Sequence, residues 1–361
     1  MDSRSTNAKL VGRGAGISPP NRFERVHAED DWEHLDPAEV QPDERRVPTV
    51  LMPNETRRLI TENDSPDVPF RYSINPYRGC EHGCAYCYAR PGHETLGMNA
   101  GLDFETRILV KYDAPQRLRD ELGEDGWRGE PITLSGVTDC YQPAERKLRL
   151  TRGCLEVMLE ARQPLGIITK NTLVTRDLDL LAPLAAQNLA RVFLSVTTLD
   201  DSLARTLEPR TATPQARLRA VSELARAGVS VGVMVAPIIP GLNDQEIPAI
   251  LAAAKEAGAQ SAGYVLLRLP YAVRPIFEDW IRRSYPEKAD RVLGLIRETR
   301  AGRMNDPQFG TRMRGNGPYA EQIEKTFKVF RKKHELDRPL PPLDSSQFAP
   351  PQPRAGQLRL F

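Results

Sequence analysis

From residue 70 onward, short apolar runs rich in β-branched residues alternate with longer stretches whose apolar positions recur every three or four residues. The first pattern suits a strand buried on both faces and the second an amphipathic helix. Runs at 70–74, 132–135, 165–169, 191–196, 229–236 and 263–269 predict six strands with helices between them. Strands and helices in strict alternation imply βα units feeding a parallel sheet. The helix ends are punctuated. Thr213 before Pro214 offers an N-cap with a first-turn proline, and Gly228 supplies a left-handed stop. Asn243 with Glu246 reads as a capping-box start, Pro248 falls in the first turn, and Gly258 closes that helix. Cys154 shares helical spacing with Leu150, Val157 and Met158, which marks a core-facing position.

The rest of the chain is organised around this body. Residues 1–65 mix Gly, Pro, Ser and charge and read as an irregular arm. Residues 66–320 hold the six units. Helical character from about residue 319 places a C-terminal helix over 321–336, with Ile323, Phe327 and Phe330 on one side. Residues 337–361 are Pro-rich at first and predict a disordered, extended tail.

Charge adds little. Fifty Lys and Arg against forty-eight Asp and Glu leave +2, so no global field announces a nucleic-acid partner. Residues 274–338 carry a local excess of positive charge, which reads first as a solvated helix face. The start of the chain has no apolar stretch of the kind a secretory signal needs, and the run at 229–240 is far short of the ~20 residues that span a bilayer. These features point to a cytoplasmic protein without a membrane partner.

Candidate chemistry centres on three of the five cysteines. Cys80, Cys84 and Cys87 stand as Cys-x3-Cys-x2-Cys in a tight loop after the first strand. A [4Fe-4S] cluster normally takes four thiolates, so three in one loop leave one iron open for chemistry. A zinc site completed by His82 or His93 is the structural alternative, although such sites more often pair two Cys-x2-Cys knuckles. A plain electron-transfer cluster would carry the fourth cysteine missing here.

This spacing resembles that of the radical S-adenosylmethionine (SAM) superfamily, and the chain from about 66 to 320 is similar to its spore photoproduct lyase-like branch. The resemblance implies a partial (β/α)6 barrel of the TIM type, open at the side for a large substrate. It also implies that the amino and carboxylate groups of SAM chelate the open iron, and that one-electron cleavage yields a 5'-deoxyadenosyl radical. Tyr86 lies where the superfamily places an aromatic against the adenine, and Tyr86 with Tyr88 matches tyrosines of the branch implicated in hydrogen-atom relay. Ser135, Gly136 and Thr138 follow the second strand, where the superfamily holds the SAM amino group. Thr138-Asp139-x-Tyr141-Gln142-Pro143-x-Glu145 is a pattern of the branch, though Asp139 and Glu145 also suit helix capping. Lys170, at the third strand end, matches a lysine directed at the SAM carboxylate. Ser195 and Thr197 alternate toward one face of the fourth strand and are candidates for the ribose. Residues 237–244 form a turn that in the superfamily supports the adenine. In Glu208-Pro209-Arg210, Arg210 is a candidate carboxylate or phosphate contact.

Cys140 is predicted to face the cavity, where a thiol could return a hydrogen atom to a substrate radical. Burial as a small core residue is the competing reading. The expected function is radical SAM chemistry, with nucleic acid as the implied substrate class and an unidentified electron donor. The absence of a second cysteine set argues against sulfur insertion or methylthio transfer. The reading from another class is a redox-sensing or scaffold protein with a structural cluster. Gln357-Leu358-Arg359-Leu360-Phe361 resembles the peptide by which bacterial polymerases and repair proteins hold the sliding clamp. Leu358, Leu360 and Phe361 would anchor in a groove while Gln357 fixes register.

Overall fold

A computed structural model of the chain describes residues 12–23 and 47–352. Among the described residues, ten strands form two sheets: β1 Val50–Pro53, β2 Thr61–Glu62, β3 Tyr72–Ile74, β4 Tyr77–Arg78, β5 Arg107–Val110, β6 Ile132–Leu134, β7 Leu165–Thr169, β8 Ala190–Ser195, β9 Ser230–Ile238 and β10 Ser261–Leu266. The large sheet runs β10-β9-β8-β7-β6-β3-β2. Its six strands from β3 to β10 are all parallel, and they are the six predicted. Helices Leu150–Glu160, Leu178–Ala185, Pro214–Arg226 and Ile247–Glu256 make the crossovers from β6 to β10. One continuous core joins the sheet to them, and Cys154 is fully buried in it as expected. The result is the parallel α/β sheet that the alternation of runs predicts, with the six βα units of the partial barrel that the resemblance implies.

The arm is not irregular throughout. β1 pairs in parallel with β5, and β2 pairs antiparallel with β3 as the edge of the large sheet. Both are short and mostly exposed, so no apolar alternation marks them.

Thr213 Oγ1 accepts the Ala216 N–H at 3.3 Å, as an N-cap should. The capping box at 243–246 does not form. Asn243 donates to the carbonyls of Thr197 and Pro237 and accepts the Ile239 N–H, while Glu246 accepts from Thr198 Oγ1 and Leu199 N. These tertiary bonds outcompete the local ones.

Two segments pack where an open barrel and a loose tail were expected. Met313 pairs its carbonyl with Leu266 N of β10 at 2.9 Å, while neighbouring Arg312 clasps Asp67 and Ser65 in the loop between β2 and β3. Gly310 N adds a 2.7 Å bond to Asp67. The stretch 306–314 therefore bridges the two edges of the sheet across the lateral opening. The C-terminal helix runs over Pro318–Lys333 and buries Ile323 and Phe327. Beyond it, the Pro-rich segment carries one short 3-10 turn at Ser345–Gln347 and is docked as far as Gln352. Asp344 N reaches the Asn188 carbonyl, Ala349 N reaches the Ala161 carbonyl, and Arg119 binds the Gln352 carbonyl at 2.7 Å. The clamp-like peptide at 357–361 lies outside the described residues.

No helix among the described residues is long and apolar enough to cross a membrane. In the basic stretch, Arg274, Arg282 and Arg283 pair with Glu278, Asp290 and Asp279, which is the solvated face expected.

Candidate functional site

The cysteine loop leaves β4 at the C-terminal side of the first barrel strand, where parallel barrels place their chemistry. Its backbone is anchored from outside because a loop has no ladder of its own. Cys80 N donates to the Phe104 carbonyl at 2.9 Å, Ala85 N to the Leu207 carbonyl at 3.0 Å, and Cys87 N to the Cys84 carbonyl at 3.2 Å. Arg90, fully buried, gives Nε and Nη2 to the Cys84 carbonyl and Nη1 to those of Ala100 and Gly101. Its charge is balanced by buried Glu105 at 2.5 Å. Cys80 and Cys84 are buried and Cys87 is half-buried.

The donor set fits an iron-sulfur cluster better than a zinc ion. Burial pushes all three thiols up, so they ionise only where a bound cation compensates. Zinc would draw its ligands to about 2.3 Å from one centre. Among the described residues, no three His, Cys, Asp or Glu side chains are arranged to hold a single metal ion. Both histidines of the zinc alternative are engaged: His82 lies 3.2 Å from the Asn171 amide and 3.5 Å from Asp139, and His93 Nε2 bonds the Arg107 carbonyl at 3.0 Å.

Around the loop, the strand ends supply the remaining candidates. Ser135, φ 91°, and Gly136, φ 72°, make two consecutive left-handed residues after β6. For a serine this conformation is strained, and such strain clusters at functional sites. Ser135 Oγ accepts the Cys140 N–H at 3.1 Å, and the Gly136 carbonyl accepts the Tyr88 hydroxyl at 2.6 Å. Tyr88 remains half exposed at the mouth. Thr138 is committed elsewhere: its hydroxyl donates to the Tyr77 carbonyl and accepts from Asn75. Asp139 accepts from Thr169 Oγ1 at 2.7 Å and Lys170 N at 2.9 Å, tying this loop to the third strand end. Glu145 accepts Thr151 N, so it does cap the next helix.

Tyr86, Lys170 and Thr197 converge on a residue to which no role was assigned from sequence. The Tyr86 hydroxyl donates to Glu208 Oε1, Thr197 Oγ1 donates to the same oxygen at 2.7 Å, and Arg217 Nη2 holds Oε2 at 2.5 Å. Lys170 Nζ stands 5.8 Å from the Tyr86 ring centroid. Burial alone would raise the Glu208 carboxyl, yet Arg217, then Lys170, Thr197 and Tyr86 outweigh it and hold it at about 2. Glu208 is thus an anion that fixes the aromatic of the cysteine loop. The signal was present in sequence. Arg217 sits at helical spacing with Val221 and Leu224 on the apolar face of its helix, and a charge there needs a buried partner. Arg210 instead lies at the surface and pairs with Glu81 at 3.1 Å. Ser195 is buried, and its carbonyl accepts Arg217 Nη1 at 2.9 Å.

Cys140 does not line an open cavity. It is fully buried in the main core, and its carbonyl accepts Thr151 Oγ1 at 2.7 Å. After the turn at Ser135 and Gly136 the chain passes through exposed Val137 to Cys140, whose N–H returns to Ser135 Oγ.

Barrel, loop position and cysteine spacing together define a class, and comparison with known proteins agrees. A model of the radical SAM superfamily matches residues 74–254. An uncharacterized protein of Mycobacterium tuberculosis is 37% identical over 287 residues, which is 79% of this chain and 82% of that protein. An uncharacterized protein of Methanocaldococcus jannaschii is 32% identical over 176 residues, covering 49% and 63%. Spore photoproduct lyase complexed with dinucleoside spore photoproduct has the same fold, with a TM-score of 0.57, 18% identity and 79% of each chain covered. The chain belongs to the radical SAM superfamily. It is a radical SAM enzyme with a lyase-like fold.

Proposed function

We propose that Cys80, Cys84 and Cys87 hold one [4Fe-4S] cluster and that the enzyme cleaves SAM reductively to act on a nucleic-acid substrate, as lesion repair or base modification. The observation that carries the reading is the three-thiol loop after the first barrel strand, two of its thiols buried and one half-buried, with Tyr86 and the Ser135-Gly136 turn beside it. When bound, the cluster supplies the electron that breaks SAM into methionine and a 5'-deoxyadenosyl radical.

The chain's own groups divide the remaining work. The strained Ser135-Gly136 turn is our candidate for the SAM amino group, acting through backbone carbonyls. Lys170 is our candidate to pair with the SAM carboxylate, a reading supported by its half-buried ammonium 5.8 Å from the Tyr86 ring centroid. Tyr86 serves as the adenine-side wall, held by Glu208. Tyr88, directly after the last cysteine and half exposed, is the better placed of the two tyrosines to meet a substrate radical. Thr138 and Thr197 act through the loops they hold, and Ser195 through the strand end that positions the ribose.

The nucleic-acid reading is supported by likeness to a lyase whose structure holds a dinucleoside photoproduct. We further propose a cytoplasmic location, a separate and unidentified electron donor, and recruitment to the sliding clamp by Gln357, Leu358, Leu360 and Phe361. A labelled peptide spanning 353–361 should bind purified clamp with micromolar affinity and lose it when Leu360 and Phe361 become Ala. No saturable binding would remove the clamp. The central test is anaerobic reconstitution with iron and sulfide, reduction, and addition of SAM. Formation of 5'-deoxyadenosine that rises with ultraviolet-irradiated DNA supports the whole reading. Formation that no nucleic acid alters would overturn the substrate class, and none at all would overturn the chemistry.

A further inference from the structure

The described part of the N-terminal arm runs across the cysteine loop. Arg13, Gly14 and Ala15 direct three consecutive N–H groups at the Glu105 carboxylate, at 2.5, 3.3 and 2.9 Å. Glu105 is the partner of Arg90, and Arg90 holds the Cys84 carbonyl. One buried carboxylate therefore receives the arm on one side and the cysteine loop on the other. Successive backbone N–H groups around an anion form a compact nest that a fixed negative charge holds closed.

The two backbones also touch. A Cβ at Gly14 would run into the Gly83 carbonyl oxygen, and one at Gly83, φ 68°, would lie 2.6 Å from Arg13 Cβ. Ala15 is fully buried. The Arg13 side chain continues over the loop, with Nη2 on Thr49 Oγ1 and 3.8 Å from Glu81, the residue after Cys80. Beyond the nest, the Ile17 carbonyl packs against Gly101, so the arm stays down past the loop.

We infer that residues 12–16 are a wall of the cluster site, a strap closed on Glu105 that covers the Cys80–Cys87 loop and keeps oxidants from its metal. Glu105 acts as a positioning residue: it touches no reacting atom, yet it couples strap to loop through Arg90. This rests on the cluster reading proposed above. A simple clasp of the fold edge would stabilise the protein without changing how fast a bound cluster is lost.

The test uses the full chain, reconstituted anaerobically with iron and sulfide, and the variant Gly14→Val. A side chain at residue 14 must lift the strap off Gly83, and overpacking of this kind shifts a local opening equilibrium about tenfold or more. On exposure to air, cluster absorption of Gly14→Val should bleach about tenfold faster than wild type, at equal initial iron and with a thermal midpoint within a few degrees. Gly126→Val, at a position where a Cβ meets nothing within 4 Å, should match wild type. Equal bleaching rates in Gly14→Val and wild type would overturn the strap. A wild type that binds no iron and sulfide would overturn the cluster reading itself, and the strap with it. Should Gly14→Val fail to fold, hydrogen exchange on wild type decides. Slow exchange at Arg13, Gly14 and Ala15 that speeds up when iron is chelated supports the inference, and unprotected amides in the loaded protein sink it.

Discussion

Replacing Glu208 with Gln isolates the anion that fixes Tyr86. The amide keeps the shape but loses the charge, and its single oxygen can serve either the Tyr86 and Thr197 hydroxyls or Arg217, not both. Arg217 and Glu208 are both essentially without exposed side-chain surface, so the guanidinium is left uncompensated where water cannot reach it. Breaking a buried pair from one side costs about 3–5 kcal/mol. At about 1.3 °C per kcal/mol for a chain of 361 residues, the thermal midpoint should fall by roughly 5 °C. The double variant Glu208→Leu with Arg217→Met should recover much of the loss, because no charge then lies buried. The pH dependence follows from the same ion. A carboxyl held at about 2 in the folded protein, below its ordinary 4.5, adds stability that is complete above pH 4.5 and is lost as pH falls toward 2. The difference between wild type and Glu208→Gln should therefore be flat from pH 7 to about 5 and shrink below that. Urea denaturation of the metal-free protein across that range measures both effects. A loss below about 1 kcal/mol at pH 7, or a difference that grows on acidification, would refute the assignment of Glu208 as a buried anion.

Three further outcomes are expected. Cys80→Ala, Cys84→Ala and Cys87→Ala should each abolish iron retention and 5'-deoxyadenosine formation, while Cys154→Ala, in the core, should keep both; iron analysis and product chromatography decide. Cys140→Ala should keep cluster and SAM cleavage and lose about 1 kcal/mol of stability from a small core cavity, and altered product distribution at unchanged stability would return it to a hydrogen-donor role. Arg312→Ala should release the bridge at 306–314 and speed its limited proteolysis, with little change in thermal midpoint; unchanged cleavage would mean that Met313 on β10 holds the segment by itself.

The six barrel strands were legible because strands covered on both faces read as continuous apolar runs, and each observed strand overlaps the run that predicts it. What escaped is structure fixed by partners distant in sequence. Val50–Pro53 forms only because β5 offers an edge, and nothing in its four residues alternates. The capping box at 243–246 obeys the local rule but loses to Thr197, Pro237 and Thr198, which local sequence cannot name. In the tail, composition suggests an extended, disordered linker. It cannot show that Asn188 and Ala161 supply backbone partners that dock it. The site divides the same way: cysteine spacing is local and was read, whereas the Glu208 and Glu105 centres join residues up to 122 positions apart.

Those centres share a logic. Arg90 with Glu105, Arg217 with Glu208, and Arg176 with Glu145 each place a buried or nearly buried ion pair behind a loop of the site. A loop that must bring thiols or a strained turn to a defined place carries backbone groups with no sheet or helix to satisfy them. Arginine answers that need with several donors in one rigid fork. Arg90 takes three loop carbonyls, and Arg217 takes those of Ala212 and Ser195. The acid is then required to neutralise the arginine, and its spare lone pairs reach the next element: the strap for Glu105, Tyr86 and Thr197 for Glu208, and the following helix for Glu145. An apolar replacement of each pair could match its stability, since desolvation offsets most of the attraction. It would leave the carbonyls unpaired and the loops free to choose other positions, so the charges fix where the site stands more than how firmly the barrel folds.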